Sequence, residues 1–232
     1  ILHQSSRTKE YNYSMKYYVI TIMNNENSIS SAKRTIHSAQ QYGIGSIEHW
    51  KATTPADDPE KIMKEKGIDP DAFKEKYSRH ENCMAAFLSH YSLWEKCAFD
   101  NEDFLILEHD AVFMNHVPST TMLKHVGTIA KPSYGKWNEC AHIGWGPLTQ
   151  KKYFGGAHAY IVKPSGAWQL MEMAQKNPAP TDVFLNIENF PWLQEWSTHS
   201  VKAMDNFTTI QNTNGCLAKH NYNPNIYTIE NV

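Results

Sequence analysis

The chain has 232 residues, room for one α/β domain with a substantial core but too few for two domains of ordinary size, which run to about 100–200 residues each. Its 22 Lys and Arg nearly balance 24 Asp and Glu, so it lacks the basic excess that drives binding to phosphate backbones, and nucleic acid is not expected as its partner. Aromatic residues make up 12% of the chain and histidines number 12, a surplus that suits metal sites, sugar platforms or plain packing.

No apolar stretch approaches the ~20 residues of a bilayer span, and no charged-then-apolar leader opens the sequence. The expectation is a chain without a transmembrane segment, cytoplasmic or peripheral to a membrane surface. Cys83, Cys97, Cys140 and Cys216 form no C-x-x-C pair, which argues against zinc knuckles and redox dithiols. Cys83 and Cys97 fall on one expected helix, ~21 Å apart at ~1.5 Å per residue, too far to bridge. A reducing compartment follows.

Residues 1–14 are polar and aperiodic and read as a tail, so the domain is expected over residues 15–232. Tyr17–Met23 is rich in β-branched and aromatic residues and reads as a strand. The Asn24-Asn25-Glu26-Asn27 turn follows, with Ser28 or Ser30 as the cap of a helix that stops at Gly43. Ile47–Ala52 reads as a second strand, so the chain opens β-α-β, as a parallel sheet wound with helices does. Residues 55–79 are charged and broken by Pro59, Gly67 and Pro70, which suggests short surface helices. From His80 to Phe99, Met84, Phe87, Leu88, Tyr91, Trp94 and Ala98 recur at helical spacing and form one apolar face. Asp103–Leu107 is a continuous apolar run after its first residue, the mark of a buried central strand. Strands are expected again at Glu139–Ile143 and Ala157–Lys163, then a helix over Pro164–Lys176 with proline at its first position.

Acid-x-acid pairs occur at 58/60, 69/71, 100/102 and 108/110, but only Glu108-His109-Asp110 directly follows a buried strand. Ligands of open α/β sheets bind beyond the carboxyl ends of the strands. Two carboxylates there can offer oxygens to a hard divalent cation whose remaining positions go to substrate phosphates. A strand-end acid pair satisfied by neighbouring backbone or arginine is the plainer alternative.

Met84-Ala85-Ala86-Phe87-Leu88-Ser89-His90-Tyr91, followed by Phe104-Leu105-Ile106-Leu107-Glu108-His109-Asp110, resembles glycosyltransferase family 25, the lipooligosaccharide and collagen galactosyltransferase-like group. Trp137–Gly144, Gly155–Val162, Pro164-Ser165-Gly166-Ala167 and Pro180-Thr181-Asp182 continue the resemblance in order, across roughly residues 16–200. It implies a GT-A-like fold, a mostly parallel sheet flanked by helices in a single domain. The implied activity is transfer of a hexose, galactose or glucose, from a UDP-sugar donor to a glycan acceptor with inversion. Mn²⁺ or Mg²⁺ is the implied cofactor, with Glu108 and Asp110 as metal ligands. Ser89, His90, Glu108 and His158 are then candidates for the donor site, and Asp182 for the base that takes the acceptor's proton. Glu188 is the second candidate base, with Glu195 a further alternative. His109 stands where the family usually has an acid; a neutral imidazole there would favour Mn²⁺ if it ligated, but it is as well suited to point away. Trp145, Trp192 and Trp196 are candidates for stacking on an acceptor sugar, or for the core. His199 or His220 could add a later ligand. The alternative function is a nucleotide-sugar-binding protein of the same fold without turnover.

Overall fold

The computed structural model describes residues 15–132, 142–148, 152–154, 156–213 and 223–232. The expected tail lies outside them, as do Cys140, His220 and most of the strand expected over Glu139–Ile143.

The β-α-β opening is present as β1 (Lys16–Thr21), α1 (Glu26–Gln40) and β2 (Glu48–Lys51). The cap of α1 is Asn25, whose side chain accepts from Ser28 N at 2.9 Å, rather than Ser28 or Ser30. Ser28 has another use: its hydroxyl accepts from Ile22 N at 2.9 Å and so closes the end of β1. α1 gives way to Gly43 at φ 81°, a left-handed position that glycine adopts without a Cβ penalty. The 55–79 stretch holds two 3₁₀ turns and one short helix, α2 (Pro59–Glu65).

α3 (His80–Asp100) buries Met84, Phe87, Leu88, Tyr91, Trp94 and Ala98, the face that the spacing predicts. β3 (Phe104–Glu108) follows, then β4 (Ala111–Phe113), β5 (Val126–Thr128), β6 (Trp145–Pro147), β7 (Ala159–Val162), α4 (Pro164–Lys176) and α5 (Thr181–Phe184). The chain then adds the short strands β8 (Gln194–Trp196), β9 (Val201–Ala203), β10 (Phe207–Thr208) and β11 (Thr228–Ile229).

The main sheet has the order β2-β1-β3-β7-β5-β8-β6. β2, β1 and β3 are parallel, β7 is antiparallel to β3 and β5, β8 is parallel to β5, and β6 reverses again. Five of the seven strands therefore run one way, the mostly parallel GT-A-like α/β arrangement expected. Side chains alternate across it. Tyr18, Ile106 and Tyr160 join the core under α3 and α4, while Val19, Leu105 and Leu107 join the core shared with Ala32 and Ala39 of α1. A strand covered on both faces must be apolar at every position, which is why β3 is legible as a continuous run.

Close approach of α4 to the sheet depends on Gly166. A Cβ there would sit 2.7 Å from Val126 Cγ2 and 2.8 Å from the His125 carbonyl oxygen, and a backbone atom cannot swing aside. Gly166→Ala is expected to destabilise the protein in denaturant titrations. Overpacking costs about 1–3 kcal/mol, more than the ~1 kcal/mol that alanine gains in helix propensity.

Candidate functional site

β1 has β2 on one side and β3 on the other, so the strand order reverses there, and ligands of open α/β sheets bind in the crevice beyond such a switch point. A small, partly open crevice lies at that place. Ile20, Ile22, Ala52 and Thr53 line it from the ends of β1 and β2, Glu108 and His109 from the end of β3, and Ala85, Ala86, Ser89 and His90 from α3. Thr209, Ile210 and Val232 add a wall from the C-terminal stretch. Arg79 fastens both passes of this C-terminal stretch: its backbone N donates to Ile210 O at 2.9 Å and its guanidinium to Glu230 O at 2.6 Å.

The acidic motif is held from two sides. Glu108 N donates to His158 O at 3.0 Å, continuing the β3–β7 ladder. Thr35 of α1 sets its hydroxyl 2.8 Å from His109 O and 2.6 Å from Ala111 O, and Met204 N donates to Asp110 O at 3.1 Å. The His109 ring points toward α1 and the C-terminal stretch. Its Nδ1 is 3.0 Å from Ser28 Oγ and its ring stacks on Phe207 with centroids 5.1 Å apart.

Of the sequence candidates, His90, Glu108, His158 and Asp182 come together. His90 Nε2 is 3.2 Å from Glu108 Oε1, and Ala157 N, one residue before His158, donates to Asp182 Oδ1 at 2.6 Å. Gly156, at φ 155°, makes room for the His158 ring itself, since a Cβ there would lie 2.4 Å from Nδ1. Asp182 is exposed at the surface, with its carboxyl crowded by neighbouring protein atoms. Burial, then the charge of Glu108, pushes its carboxyl up to about 6. Asp110 is pushed up to about 7 by burial, the Glu108 charge and Asp205. Burial would raise Glu108 too, but the His90 hydrogen bond holds it below its ordinary value. The two acids of the motif are thus driven apart. Burial also lowers His158, whose Nε2 has no protein partner.

Ser89 lines the cavity while its hydroxyl serves the scaffold, donating to Ala85 O and accepting from Thr53 N, both at 2.9 Å. Glu188 is not brought in. Its carboxylate is 69% exposed and pairs with Lys152 at 2.6 Å, and it contributes nothing to the shifts of Glu108, Asp110 or Asp182. Glu188→Gln is therefore expected to leave turnover within about twofold of the parent, as surface substitutions outside a site do. Trp145 and Trp196 pack on each other at 5.4 Å, and Trp192 lies 5.2 Å from Phe190. Sequence reasoning missed Trp94, Tyr160 and Asp205. The last pairs with Arg34 at 2.5 Å and has a side chain 9% exposed.

Among the described residues no three His, Cys, Asp or Glu side chains gather into a metal cage. The donor set still fits a hard cation that takes most of its ligands from phosphate oxygens. Asp110 Oδ1 is buried without a hydrogen-bond partner, and it stands beside a second carboxylate that repels it.

The crevice at the switch point, with Glu108 in its lining, lies where open α/β sheets bind their ligands. Residues 15–144 match the glycosyltransferase family 25 (LPS biosynthesis protein) profile, and the chain belongs to that family. No curated protein matches it in sequence. Among solved structures it is similar to an active-site mutant of LgtC, with 13% identity, a TM-score of 0.35, and 66% of this chain and 58% of that one covered. It is also similar to apo mouse xyloside xylosyltransferase 1, with 10% identity, a TM-score of 0.41, and 78% and 84% covered. The chain thus spans under two thirds of the LgtC mutant. No helix among the described residues is long and apolar enough to cross a membrane.

Proposed function

We propose that this chain transfers a hexose, galactose or glucose, from a UDP-sugar to a glycan acceptor with inversion. The observation that carries the reading is a cluster of acids held from different elements: Glu108 and Asp110 at the end of β3, and Asp182 held by Ala157 N just before β7, near enough to feel the Glu108 charge. Inversion needs two acidic sites with separate tasks, because the proton must leave the acceptor on the face of the sugar opposite the departing diphosphate.

The cavity at the ends of β1 and β2 takes the nucleotide, with Ile20, Ile22 and Ala52 as its apolar walls. Glu108 and Asp110 would hold Mn²⁺ or Mg²⁺. When bound, such an ion neutralises charge gathering on the leaving diphosphate. Asp182 accepts the acceptor hydroxyl's proton as its oxygen bonds to the anomeric carbon and the bond from that carbon to the diphosphate breaks. Asp182 is preferred to Glu188, whose carboxylate is engaged by Lys152 at the surface. A reducing, cytoplasmic setting is part of the same reading, with Cys83 and Cys97 both buried on α3.

The test is UDP release from UDP-galactose and UDP-glucose with Mn²⁺ across a panel of glycan acceptors. Release that depends on both acceptor and Mn²⁺ is expected. UDP binding with neither hydrolysis nor transfer would replace this reading with that of a non-catalytic sugar-nucleotide binder, to which His109 in place of a second acid lends some support.

A further inference from the structure

Behind Glu108 lies a chain of polar side chains that neither the acidic motif nor the base explains. Trp94 and Tyr160 are fully buried in the apolar core, and His90 is buried beside them. Trp94 Nε1 is 2.8 Å from Tyr160 Oη, Tyr160 Oη is 2.9 Å from His90 Nδ1, and His90 Nε2 is 3.2 Å from Glu108 Oε1. His90 and Trp94 stand one turn apart on α3, so the helix presents both to the same β7 residue.

The direction of every proton in this chain follows from its first member. An indole N–H can only donate, so Tyr160 Oη accepts from Trp94. The phenol's own proton then needs an acceptor, and the one it reaches is His90 Nδ1. A lone pair at Nδ1 puts the neutral ring's proton on Nε2, which donates to Glu108 Oε1. Each buried donor and acceptor is used once. The other neutral tautomer would leave the Tyr160 proton without an acceptor and set the Nε2 lone pair against a carboxylate oxygen. A doubly protonated ring would likewise strand the phenol proton.

We infer that Trp94 and Tyr160 are positioning residues. Acting through His90 in its Nε2–H form, they aim Glu108 so that Oε1 is fixed from behind while the side chain keeps 38% of its surface open toward the cleft. The consequence for function rests on the transfer reading above; the hydrogen-bond chain does not. Partners of this kind, one step behind a ligand, change metal affinity or activity about 10–100-fold when removed.

The first test uses ligand-free protein labelled with ¹⁵N-histidine. Long-range ¹H–¹⁵N spectra are expected to show His90 neutral and protonated at Nε2, and Tyr160→Phe is expected to abolish that single form. A wild-type His90 protonated at Nδ1, or at both nitrogens, overturns the proposal. So does a Tyr160→Phe variant whose His90 signals do not change. Should Tyr160→Phe fail to fold, His90 itself gives the second test, by calorimetry of Mn²⁺ with UDP. His90→Ala is expected to weaken Mn²⁺ binding about 10–100-fold, and His90→Gln, whose amide can still donate to Glu108, to recover most of it. Unchanged affinity in His90→Ala overturns the positioning role. Wild-type protein with the Nε2–H form that binds neither UDP nor Mn²⁺ upholds the hydrogen-bond chain and overturns the transfer reading instead.

Discussion

Asp182→Asn is expected to lower kcat/KM for sugar transfer by about 10²–10⁴-fold, the usual contribution of a positioned general base. Asparagine keeps an oxygen that can accept from Ala157 N, so the turn before β7 stays in place and the loss reports on chemistry. The pH profile gives a second reading of the same residue. A base works only when ionised, and burial and Glu108 raise this carboxyl to about 6. Wild-type kcat/KM should fall about tenfold per pH unit below 6 and level off above it, and the Asn variant should lack that limb. Persistence of the limb in the variant would assign the titration to another group. Stability should move the other way. The folded value lies above the ordinary 3.8, so what this group contributes to folding is full below about pH 4 and lost as pH rises through 6. Near pH 7 the Asn variant should therefore melt at a higher temperature than the wild type while doing less chemistry, a trade often seen at active sites.

The second large effect concerns Asp110. Asp110→Ala removes the buried oxygen that lacks a protein partner and, with it, half of the acid pair at the end of β3. Transfer is expected to drop about a thousandfold, since a metal supplies several kcal/mol of charge stabilisation and each 1.36 kcal/mol is a factor of ten. Calorimetry should show that Mn²⁺ no longer strengthens UDP binding in the variant. Full activity with intact Mn²⁺ dependence would remove Asp110 from the metal site.

The elements that could be read from the sequence are those whose burial leaves a periodic trace. α3 carries its apolar face at helical spacing, and β3, covered on both faces, is apolar at consecutive positions. The short strands leave no such trace. Gln194-Glu195-Trp196 is too short and too polar to show alternation, and it becomes β8 through its pairing with β5 and β6. Ser28 looks like a cap because its chemistry suits one, yet Asn25 takes that place and Ser28 closes β1. At the site, Glu108 and Asp110 are legible because they directly follow a recognisable buried strand, whereas His90, within α3, and Asp182 are pointed to by the family resemblance. The pairing of Asp205 with Arg34, and of Tyr160 with His90, joins residues 171 and 70 positions apart, and no local pattern carries that information.

The reversed strand at the centre of the sheet bears on how an anionic cleft can contain a third acid. The parallel strands β1 and β3 both leave the sheet at the crevice end. β7 enters where its neighbours leave, so the turn leading into it lies beside their outgoing ends. Ala157, in that turn, uses its amide hydrogen to hold Asp182 at 2.6 Å. Chain polarity, as much as the identity of any side chain, lets this site keep a negative charge in place.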